Sequence, residues 1–260
     1  MPVVGLVLAA GRGRRLAPYT DAVAKELLPV GEFPVIEYNL RYLEAAGVSK
    51  VFIVIGEGKE QIVRYVKDGR RFGLNVAYLF QDAKRAAGTA KAIEAARPWV
   101  NGDFIVAYGD AFFHPGGFVK EMLQFHEERG SWVTVGLYEV TNPSSFAVAK
   151  LDENMRMLDI VERPSPEQME QLRKDGVFLA NSGPLVFNRA VFGYIAKTAL
   201  SPDREYWITD TVRLMLRDGH PVYGFRIPPS VFWRDVGTPQ SRLEADQYAL
   251  SNLKVPTARS

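Results

Sequence analysis

Apolar runs of strand length alternate with helix-like periodicity along the first half of the chain. The runs are continuous, which is typical of strands buried on both faces of a sheet. Between them, apolar residues recur at helical spacing, as at Ile36, Leu40 and Leu43 after Pro34. The pattern predicts strands at residues 3–9, 51–55, 75–80 and 104–108, and helices from 34, at 59–67, at 89–96 and around 118–125. This βαβαβαβα order predicts a parallel sheet with helices on both faces.

The pattern changes after Ser131, where strand-like runs follow one another with few helices between them. It predicts strands at residues 132–140, 146–151, 155–161, 178–187 and 221–227, and helices at 210–217 and 239–253. No internal repeat or low-complexity linker separates the two halves. We therefore expect one α/β domain over residues 1–260, a Rossmann-like three-layer sandwich with a mixed, mostly parallel central sheet.

Composition narrows the classes of function. The chain has 260 residues with 32 Lys and Arg against 30 Asp and Glu, a balance that gives no support for broad binding to nucleic acid or membranes. It has no cysteine and three histidines, which excludes disulfides and thiolate chemistry and favours oxygen ligands for any metal. No apolar run approaches the ~20 residues of a membrane span. The first residues do not resemble a signal peptide, so we expect a cytoplasmic protein.

Glycines and arginines follow the first predicted strand, at the sheet edge where open α/β proteins bind ligands. Gly11 and Gly13 let the backbone bend tightly and approach a ligand closely. Exposed amides together with Arg14 and Arg15 form a concave anion site. Leu16 stands where a dinucleotide fingerprint needs a third glycine, and no Gly-Lys-Ser/Thr follows as in a Walker loop. Taken alone, the loop is equally compatible with a glycine turn that carries solvated arginines.

A longer signature surrounds this loop over residues 8–40. It resembles that of the sugar-phosphate nucleotidylyltransferases, a family that includes glucose-1-phosphate thymidylyltransferases and uridylyltransferases. The matching positions are Ala10, Gly11, Gly13, Arg15, Leu16, Pro18, Thr20, Lys25, Leu28, Pro29, Pro34 and Tyr38. The resemblance covers roughly residues 3–240 and implies the nucleotide-diphospho-sugar transferase type of fold. It leaves no sequence for the hexapeptide β-helix of bifunctional relatives, so no acyltransferase activity is expected.

The resemblance implies a nucleotide site and a metal site. In the family, the residues that match Gln81 and Gly88 contact the nucleobase, and those that match Asp110 and Asp235 hold Mg²⁺. Two aspartates suit Mg²⁺, which takes one or two carboxylates together with phosphate oxygens and water. Outside this context, either aspartate is an ordinary turn or cap residue. The implied nucleotide-binding residues are Leu8, Ala10, Gly11, Gly13, Arg14, Arg15, Gln81, Gly88 and Thr89.

The sugar side resembles the family less closely. Glu162 and Arg163 stand where the family has Glu and Lys, which implies sugar hydroxyl contacts for Glu162 and a sugar-phosphate contact for Arg163. An arginine grips phosphate bidentately, but its planar fork does not copy an ammonium group. Asn181 and Gly183 match the family's Asn-x-Gly segment and are the other implied sugar contacts. Ala147 replaces a family glycine, and we expect its methyl group either to narrow the implied sugar pocket or to shift the backbone.

The implied reaction is nucleotidyl transfer from a pyrimidine nucleoside triphosphate, UTP or dTTP, to a sugar 1-phosphate such as glucose 1-phosphate, with release of pyrophosphate. Arg15, Lys25 and Asp110 are the implied catalytic residues, Mg²⁺ is the implied cofactor, and the two substrates are the implied partners. Residues 1–130 then form the nucleotide-binding half, residues 131–237 the sugar-binding half, and residues 238–260 a C-terminal helix and tail. A homo-oligomer is compatible with this sequence, which does not specify the oligomeric state.

Two other functions compete with this interpretation. A regulatory subunit of the same fold binds sugar nucleotides without turnover, but it is expected to have lost Arg15, Lys25 or an aspartate, and all are present. A nicotinamide oxidoreductase needs the third glycine of the fingerprint. It also needs an acidic residue after the second strand, where Gly56 stands.

Overall fold

Thirteen β-strands lie within the residues that the computed structural model describes, which are 3–82, 84, 86–173 and 176–253. They are β1 (Val4–Ala9), β2 (Pro29–Val30), β3 (Phe33–Pro34), β4 (Lys50–Ile55), β5 (Asn75–Phe80), β6 (Phe104–Tyr108), β7 (Ala111–His114), β8 (Val133–Val140), β9 (Ala147–Leu151), β10 (Met157–Glu162), β11 (Phe178–Phe187), β12 (Val222–Arg226) and β13 (Phe232–Asp235). Nine of them form one sheet, and the other four form two short ribbons.

Nine α-helices connect these strands within the same described ranges. They are α1 (Tyr19–Ala22), α2 (Val35–Ala45), α3 (Glu60–Val66), α4 (Thr89–Glu94), α5 (Phe118–Glu128), α6 (Pro166–Leu172), α7 (Val191–Ile195), α8 (Ile208–Arg217) and α9 (Pro239–Asn252). The sequence pattern predicts α2 to α5, α8 and α9 but not the short helices α1, α6 and α7. The predicted tail after residue 253 lies outside the described residues.

The first half of the chain forms the parallel part of the sheet. The strands β6, β1, β4 and β5 lie side by side in that order, and each neighbouring pair is parallel. Leu6 in the central strand β1 pairs with Phe52 of β4 and Val106 of β6, and it is fully buried. Continuous apolar runs fit these strands because helices cover both of their faces.

The strand β11 joins the second half of the chain to this sheet. Its C-terminal part runs antiparallel to β6, and its N-terminal part runs antiparallel to β9. The strand β8 pairs with both parts of β11 and is itself parallel to β12, while β10 pairs with β9. The predicted extension of one mixed sheet by the second half is confirmed.

Helices cover both faces of the sheet. One buried core contains Ile93 of α4, Phe192 of α7 and Val212 of α8 together with sheet residues. The core on the other face contains Leu40 of α2 and Met122 of α5. These two cores separate three layers, so the predicted three-layer α/β sandwich is confirmed.

A short antiparallel ribbon of β7 and β13, which the sequence pattern does not predict, lies apart from the main sheet. The strand β7 begins directly after Asp110, and β13 ends at Asp235, which pairs with Ala111. The ring of Phe112 is fully buried and packs edge-on against Tyr38 of α2, 4.8 Å between ring centroids. The pairing register therefore brings two aspartates from distant parts of the sequence to one place.

Candidate active site

A cleft of about 720 Å³ opens at the carboxyl ends of β1 and β6, where open α/β sheets bind their ligands. The predicted site residues that line it are Leu8, Ala10, Gly11, Gly13, Arg14, Arg15, Lys25, Gln81, Gly88, Thr89, Asp110, Glu162, Arg163, Asn181 and Asp235. Gly183 is not among the lining residues. The fold thus gathers residues from both halves of the chain into one cleft, while their individual roles stay predictions.

Two cations and two carboxylates meet at one end of the cleft. The Lys25 ammonium is hydrogen-bonded and ion-paired to Asp110, and both side chains are mostly buried. The Arg15 guanidinium lies 3.6 Å from the Asp235 carboxylate. The 3-10 helix Lys25–Leu27 positions the lysine, whereas the β7–β13 ribbon positions the two aspartates. This arrangement holds opposite charges close together in a partly buried place, where they interact more strongly than in water.

Burial and mutual charge shift the pKa values of this cluster. Burial raises the pKa of Asp235 to about 6, and the negative charge of Asp110 acts in the same direction. Burial also acts to raise the pKa of Asp110, but the charge and hydrogen bond of Lys25 outweigh it, so this pKa lies below its ordinary value. Burial acts to lower the pKa of Lys25, yet the charges of Asp110 and Glu26 bring it above its ordinary value. Lys25 is therefore positive and Asp110 negative at neutral pH.

The Asp235 carboxylate has an oxygen that the protein does not use. Its Oδ1 atom is buried and has no hydrogen-bond partner among the described residues, an arrangement that costs free energy. Mg²⁺ is commonly held by one or two carboxylates, with substrate phosphates and water as the other ligands. The part of the chain that the structure describes has no group of three or more His, Cys, Asp or Glu side chains suited to a metal. The Asp110–Asp235 pair, with its unused oxygen, fits such a cation.

The glycine loop after β1 presents its arginines to the cleft. Gly13 adopts a left-handed conformation (φ +69°) at the start of the 3-10 helix Arg14–Leu16, and the Thr20 hydroxyl donates to its carbonyl at 3.0 Å. A Cβ atom at this position would lie only 2.9 Å from Thr20 Cγ2, so both conformation and space require glycine. The Arg15 side chain is 62% exposed although it reaches Asp235. It therefore remains accessible to an anionic ligand.

Gln81 and Gly88, the residues predicted to contact the nucleobase, lie together in the cleft. The Gln81 side-chain amide donates to the carbonyls of Ala86 at 3.3 Å and Gly88 at 3.2 Å. Because the N–H donors are used inside the protein, the side-chain carbonyl is the group left for a ligand. Gly88 precedes α4 with φ +107°, and a Cβ atom there would lie 2.4 Å from the backbone of Tyr206. Glycine is thus required where the two halves of the chain meet.

Glu162 and Arg163, the residues predicted to bind the sugar and its phosphate, line the cleft, and both already have partners. Glu162 ends β10 and accepts a hydrogen bond from the Thr209 hydroxyl at 2.7 Å, while burial raises its pKa. Arg163 forms an ion pair with Asp203 at 2.5 Å, and its guanidinium carbon lies 5.7 Å from the centroid of the Trp207 ring. An anionic ligand of Arg163 therefore competes with Asp203.

Asn181 and Gly183 differ in their relation to the cleft. Asn181 lines it, and its side-chain oxygen accepts from the Gly183 amide at 3.0 Å. Gly183 has φ +57°, and a Cβ atom there would lie 2.8 Å from the ring of Tyr108. Tyr108 itself lines the cleft. Gly183 thus leaves room for a cleft residue, while its own predicted sugar contact stays a prediction.

Several residues that line the cleft are not among the predicted site residues, and Trp207, Thr209 and Tyr108 are three of them. Tyr108 is the last residue of a predicted strand, so its place at the sheet edge was a usable signal. Trp207 and Thr209 flank the start of α8. Nothing in their local sequence distinguishes a cleft residue from a helix start, because the cleft forms only when α8 packs beside β10.

A cleft at the carboxyl ends of parallel strands, lined by paired cations and carboxylates, is typical of ligand-binding α/β proteins. The chain belongs to the nucleotidyl transferase family, whose model matches residues 4–252. The resemblance inferred from the sequence is thereby confirmed. Members of this family generally depend on a divalent metal. No helix in the described residues is both long enough and apolar enough to cross a membrane.

Several curated proteins are similar to this chain. The low-salt glycan biosynthesis nucleotidyltransferase Agl11 of Haloferax volcanii is 30% identical over 250 residues, which make up 95% of this chain and 66% of that protein. A glucose-1-phosphate thymidylyltransferase of Streptomyces griseus is 33% identical over 250 residues, 96% of this chain and 66% of that protein. The bifunctional protein GlmU of Methanococcus maripaludis is 28% identical, with 95% of this chain and 54% of that protein covered. The chain thus spans from about half to two thirds of the length of these relatives.

Solved structures share the fold over nearly the whole chain. A structure described as a candidate glucose-1-phosphate thymidylyltransferase from Bacillus anthracis, in complex with sucrose, superposes with a TM-score of 0.83 at 26% identity and covers 98% of both chains. A UDP-glucose pyrophosphorylase complexed with UDP-glucose gives a TM-score of 0.82 at 21% identity, with 96% of this chain and 99% of that chain covered. The second similarity concerns the fold alone.

Proposed function

We propose that this protein transfers the nucleotidyl group of UTP or dTTP to a sugar 1-phosphate, such as glucose 1-phosphate, and releases pyrophosphate. One observation carries the proposal: a single cleft joins the Lys25–Asp110–Asp235 cluster to Glu162 and Arg163. The first group suits a reacting triphosphate, and the second suits the hydroxyls and phosphate of a sugar phosphate. Two of the relatives support the proposal, since one is a glucose-1-phosphate thymidylyltransferase and the other is a nucleotidyltransferase of glycan biosynthesis.

In the proposed reaction a phosphate oxygen of the sugar 1-phosphate attacks the α-phosphorus of the triphosphate in line. A new P–O bond forms, the bond between the α-phosphorus and its bridging oxygen breaks, and the electron pair leaves with pyrophosphate. Both substrates are anions, so the protein must position them and offset their repulsion. The attacking oxygen is already ionised at neutral pH. No general base is therefore needed, which agrees with a cleft that has no histidine among its described lining residues.

Lys25 and Arg15 supply the positive charge on the protein side. The exposed Arg15 side chain and the amides of residues 11–14 are placed to bind the β- and γ-phosphates. Lys25 is anchored on Asp110 deeper in the cleft, where it stabilises the charge that develops at the α-phosphate. Its elevated pKa keeps it protonated for this role.

Asp110 and Asp235 are the residues that would hold Mg²⁺, which when bound adds positive charge next to the phosphate oxygens. The unused Oδ1 atom of Asp235 supports this assignment. The carboxylates also orient the two cations, since each aspartate is paired with one of them.

Different residues of the cleft select the base and the sugar. The free side-chain carbonyl of Gln81 accepts the N3–H of uracil or thymine, a donor that both bases share. Glu162 and Asn181 face sugar hydroxyls, and Arg163 grips the sugar phosphate once the phosphate displaces Asp203. Because both bases offer the same edge to Gln81, this contact does not separate UTP from dTTP.

The test is a pyrophosphate-release screen of UTP, dTTP, ATP, GTP and CTP against several sugar 1-phosphates in the presence of Mg²⁺. We expect turnover with UTP or dTTP and glucose 1-phosphate to exceed that with purine nucleotides. The same samples are titrated with UDP-glucose and dTDP-glucose by calorimetry. Binding without turnover would identify a regulatory subunit of the same fold, and neither binding nor turnover would refute the proposal.

A further inference from the structure

A buried ion pair, formed by Glu26 and Lys59, lies next to Lys25, the proposed catalytic lysine. Glu26 is fully buried, Lys59 is 5% exposed, and the Lys59 ammonium donates to Glu26 Oε2 at 2.6 Å. Glu26 follows Lys25 in the 3-10 helix Lys25–Leu27, and Lys59 precedes α3. Neither residue lines the cleft. The pair therefore lies outside the set of groups that can contact a substrate.

Glu26 is nonetheless close to the reacting groups. Its Cγ atom would lie 3.1 Å from a Cβ atom on Gly109, the residue before Asp110. Burial raises the pKa of Glu26, and the positive charges of Lys25 and Lys59 act in the opposite direction. Lys25 is thus paired with Asp110 and is the neighbour of Glu26 in the 3-10 helix, and either carboxylate is a suitable partner for a buried ammonium.

The two carboxylate oxygens of Glu26 differ in their hydrogen bonding. Lys59 takes Oε2, whereas Oε1 is buried without a hydrogen-bond partner among the described residues. An apolar pair of similar volume is often as stable as a buried ion pair, so stability alone does not explain these charges. Without Lys59, the buried Glu26 carboxyl group either takes up a proton or keeps its negative charge by pairing with Lys25, the other lysine whose charge acts on it.

We propose that Lys59 holds Glu26 so that Lys25 remains directed to Asp110 and the cleft. Lys59 and Glu26 are then positioning residues that act through Lys25, and this inference rests on the proposed function for its kinetic consequences. The segment that carries Lys59 packs closely against the glycine loop after β1. A Cβ atom on Gly56 would lie 3.0 Å from the carbonyl oxygen of Ala10. The Glu26–Lys59 pair itself links the start of α3 to the 3-10 helix Lys25–Leu27.

The test uses the single variant Lys59→Met and the double variant Lys59→Met with Glu26→Gln. Diverting Lys25 to Glu26 removes a charge-assisted contact from the transition state, so in the single variant we expect kcat to fall about tenfold or more. The KM for the nucleotide should change less than about threefold. In the double variant the neutral glutamine no longer competes with Asp110 for Lys25, and kcat should return to within about threefold of wild type. All rates are taken per folded molecule, below the thermal transition of each variant.

Lys91→Met is the matched control, because Lys91 also pairs with a glutamate, at 2.7 Å to Glu94, but does not line the cleft. Its kcat should equal that of wild type. A crystal structure of Lys59→Met gives a readout that is independent of turnover, and it should show Lys25 paired with Glu26. Lys25 still on Asp110, an unchanged kcat in the single variant, or a double variant no faster than the single one would each overturn the inference. If wild type has no turnover, the proposed function fails, and the structure of Lys59→Met still decides the positioning role.

Discussion

Replacing Gly88 by alanine tests the contact that joins the nucleotide half of the cleft to the sugar half. The backbone at Gly88 has φ +107° and ψ 163°, a region that is essentially restricted to glycine. An added Cβ atom would lie 2.4 Å from both the nitrogen and the oxygen of Tyr206. Those two atoms form hydrogen bonds of 3.0 Å with Ala87 and Ala90. The alanine therefore forces apart a backbone pairing, because no flexible side chain is there to move aside.

The expected loss combines strain and broken hydrogen bonds. The disallowed conformation costs about 1–3 kcal/mol, and two weakened backbone hydrogen bonds cost about 0.5–1.5 kcal/mol each. The free energy of unfolding should thus fall by about 2–6 kcal/mol, which for a chain of this size lowers Tm by roughly 10 °C. Nucleotide binding should weaken as well, since the Gly88 carbonyl also accepts from Gln81.

Thermal unfolding and nucleotide calorimetry measure both effects, with Gly47→Ala as the control. Gly47 also has a positive φ of +87°, but a Cβ atom there meets nothing within 4 Å. That variant carries only the conformational cost, about 1–2 kcal/mol, and should bind nucleotide as wild type does. If the two variants lose the same free energy and Gly88→Ala binds nucleotide normally, the inferred clash at Tyr206 is refuted.

Substitutions at four other residues should change the kinetics or the stability in specific ways. Lys25→Ala should lower kcat more than it raises the KM for the nucleotide, because its contact strengthens in the transition state. Arg163→Ala should raise the KM for the sugar 1-phosphate about tenfold or more, the effect of one charge-assisted contact, with Arg163→Lys partly active. Asp203→Asn should lower that KM about two- to fivefold, since the competing ion pair is half exposed and weak. Burial holds the pKa of His126 below its ordinary 6.5. The unfolded chain therefore binds a proton at His126 more readily than the folded chain does. The free energy of unfolding should then fall as the pH drops below 6.5, and less steeply in His126→Asn.

Steady-state kinetics and denaturation at several pH values check these expectations. Weaker nucleotide binding at unchanged kcat would make Lys25 a passive anchor. An unchanged sugar-phosphate KM in Arg163→Ala would locate the phosphate contact elsewhere, and a raised KM in Asp203→Asn would show that Asp203 assists binding. Parallel pH profiles for wild type and His126→Asn would show that His126 titrates normally.

The strands β1, β4 and β6 of the parallel half can be predicted from the sequence because they are largely buried on both faces. The apolar runs of β1, β4 and β6 need no polar positions, so their pattern is strong and local. The β7–β13 ribbon is different: each strand has four residues, and the partners are separated by more than a hundred positions. The helix α6 was missed although Ser165 and Gln168 form a capping box, a signal that local reasoning can use.

The candidate site likewise contains some residues that sequence motifs identify and some contacts that depend on the tertiary structure. A family resemblance identifies Asp110 and Asp235 from their motifs, but the ribbon register that brings them together is a tertiary feature. The pairing of Arg163 with Asp203 depends on how residues 201–207 pack across the cleft, and no local pattern contains that information. The burial of Lys59 also escapes prediction, because a lysine at a helix start is usually solvated. A cytoplasmic location, a homo-oligomer and the division into a nucleotide half and a sugar half stay predictions.

The most direct test of the central claim is pyrophosphate release by Asp110→Asn and Asp235→Asn, measured with Mg²⁺, glucose 1-phosphate and whichever of UTP or dTTP wild type prefers. Loss of either carboxylate removes a proposed Mg²⁺ ligand and the partner of Lys25 or Arg15. We predict that each variant loses about a hundredfold or more in turnover while its circular dichroism spectrum stays that of wild type. Near-normal turnover in either variant would contradict a cleft that works through this pair of aspartates.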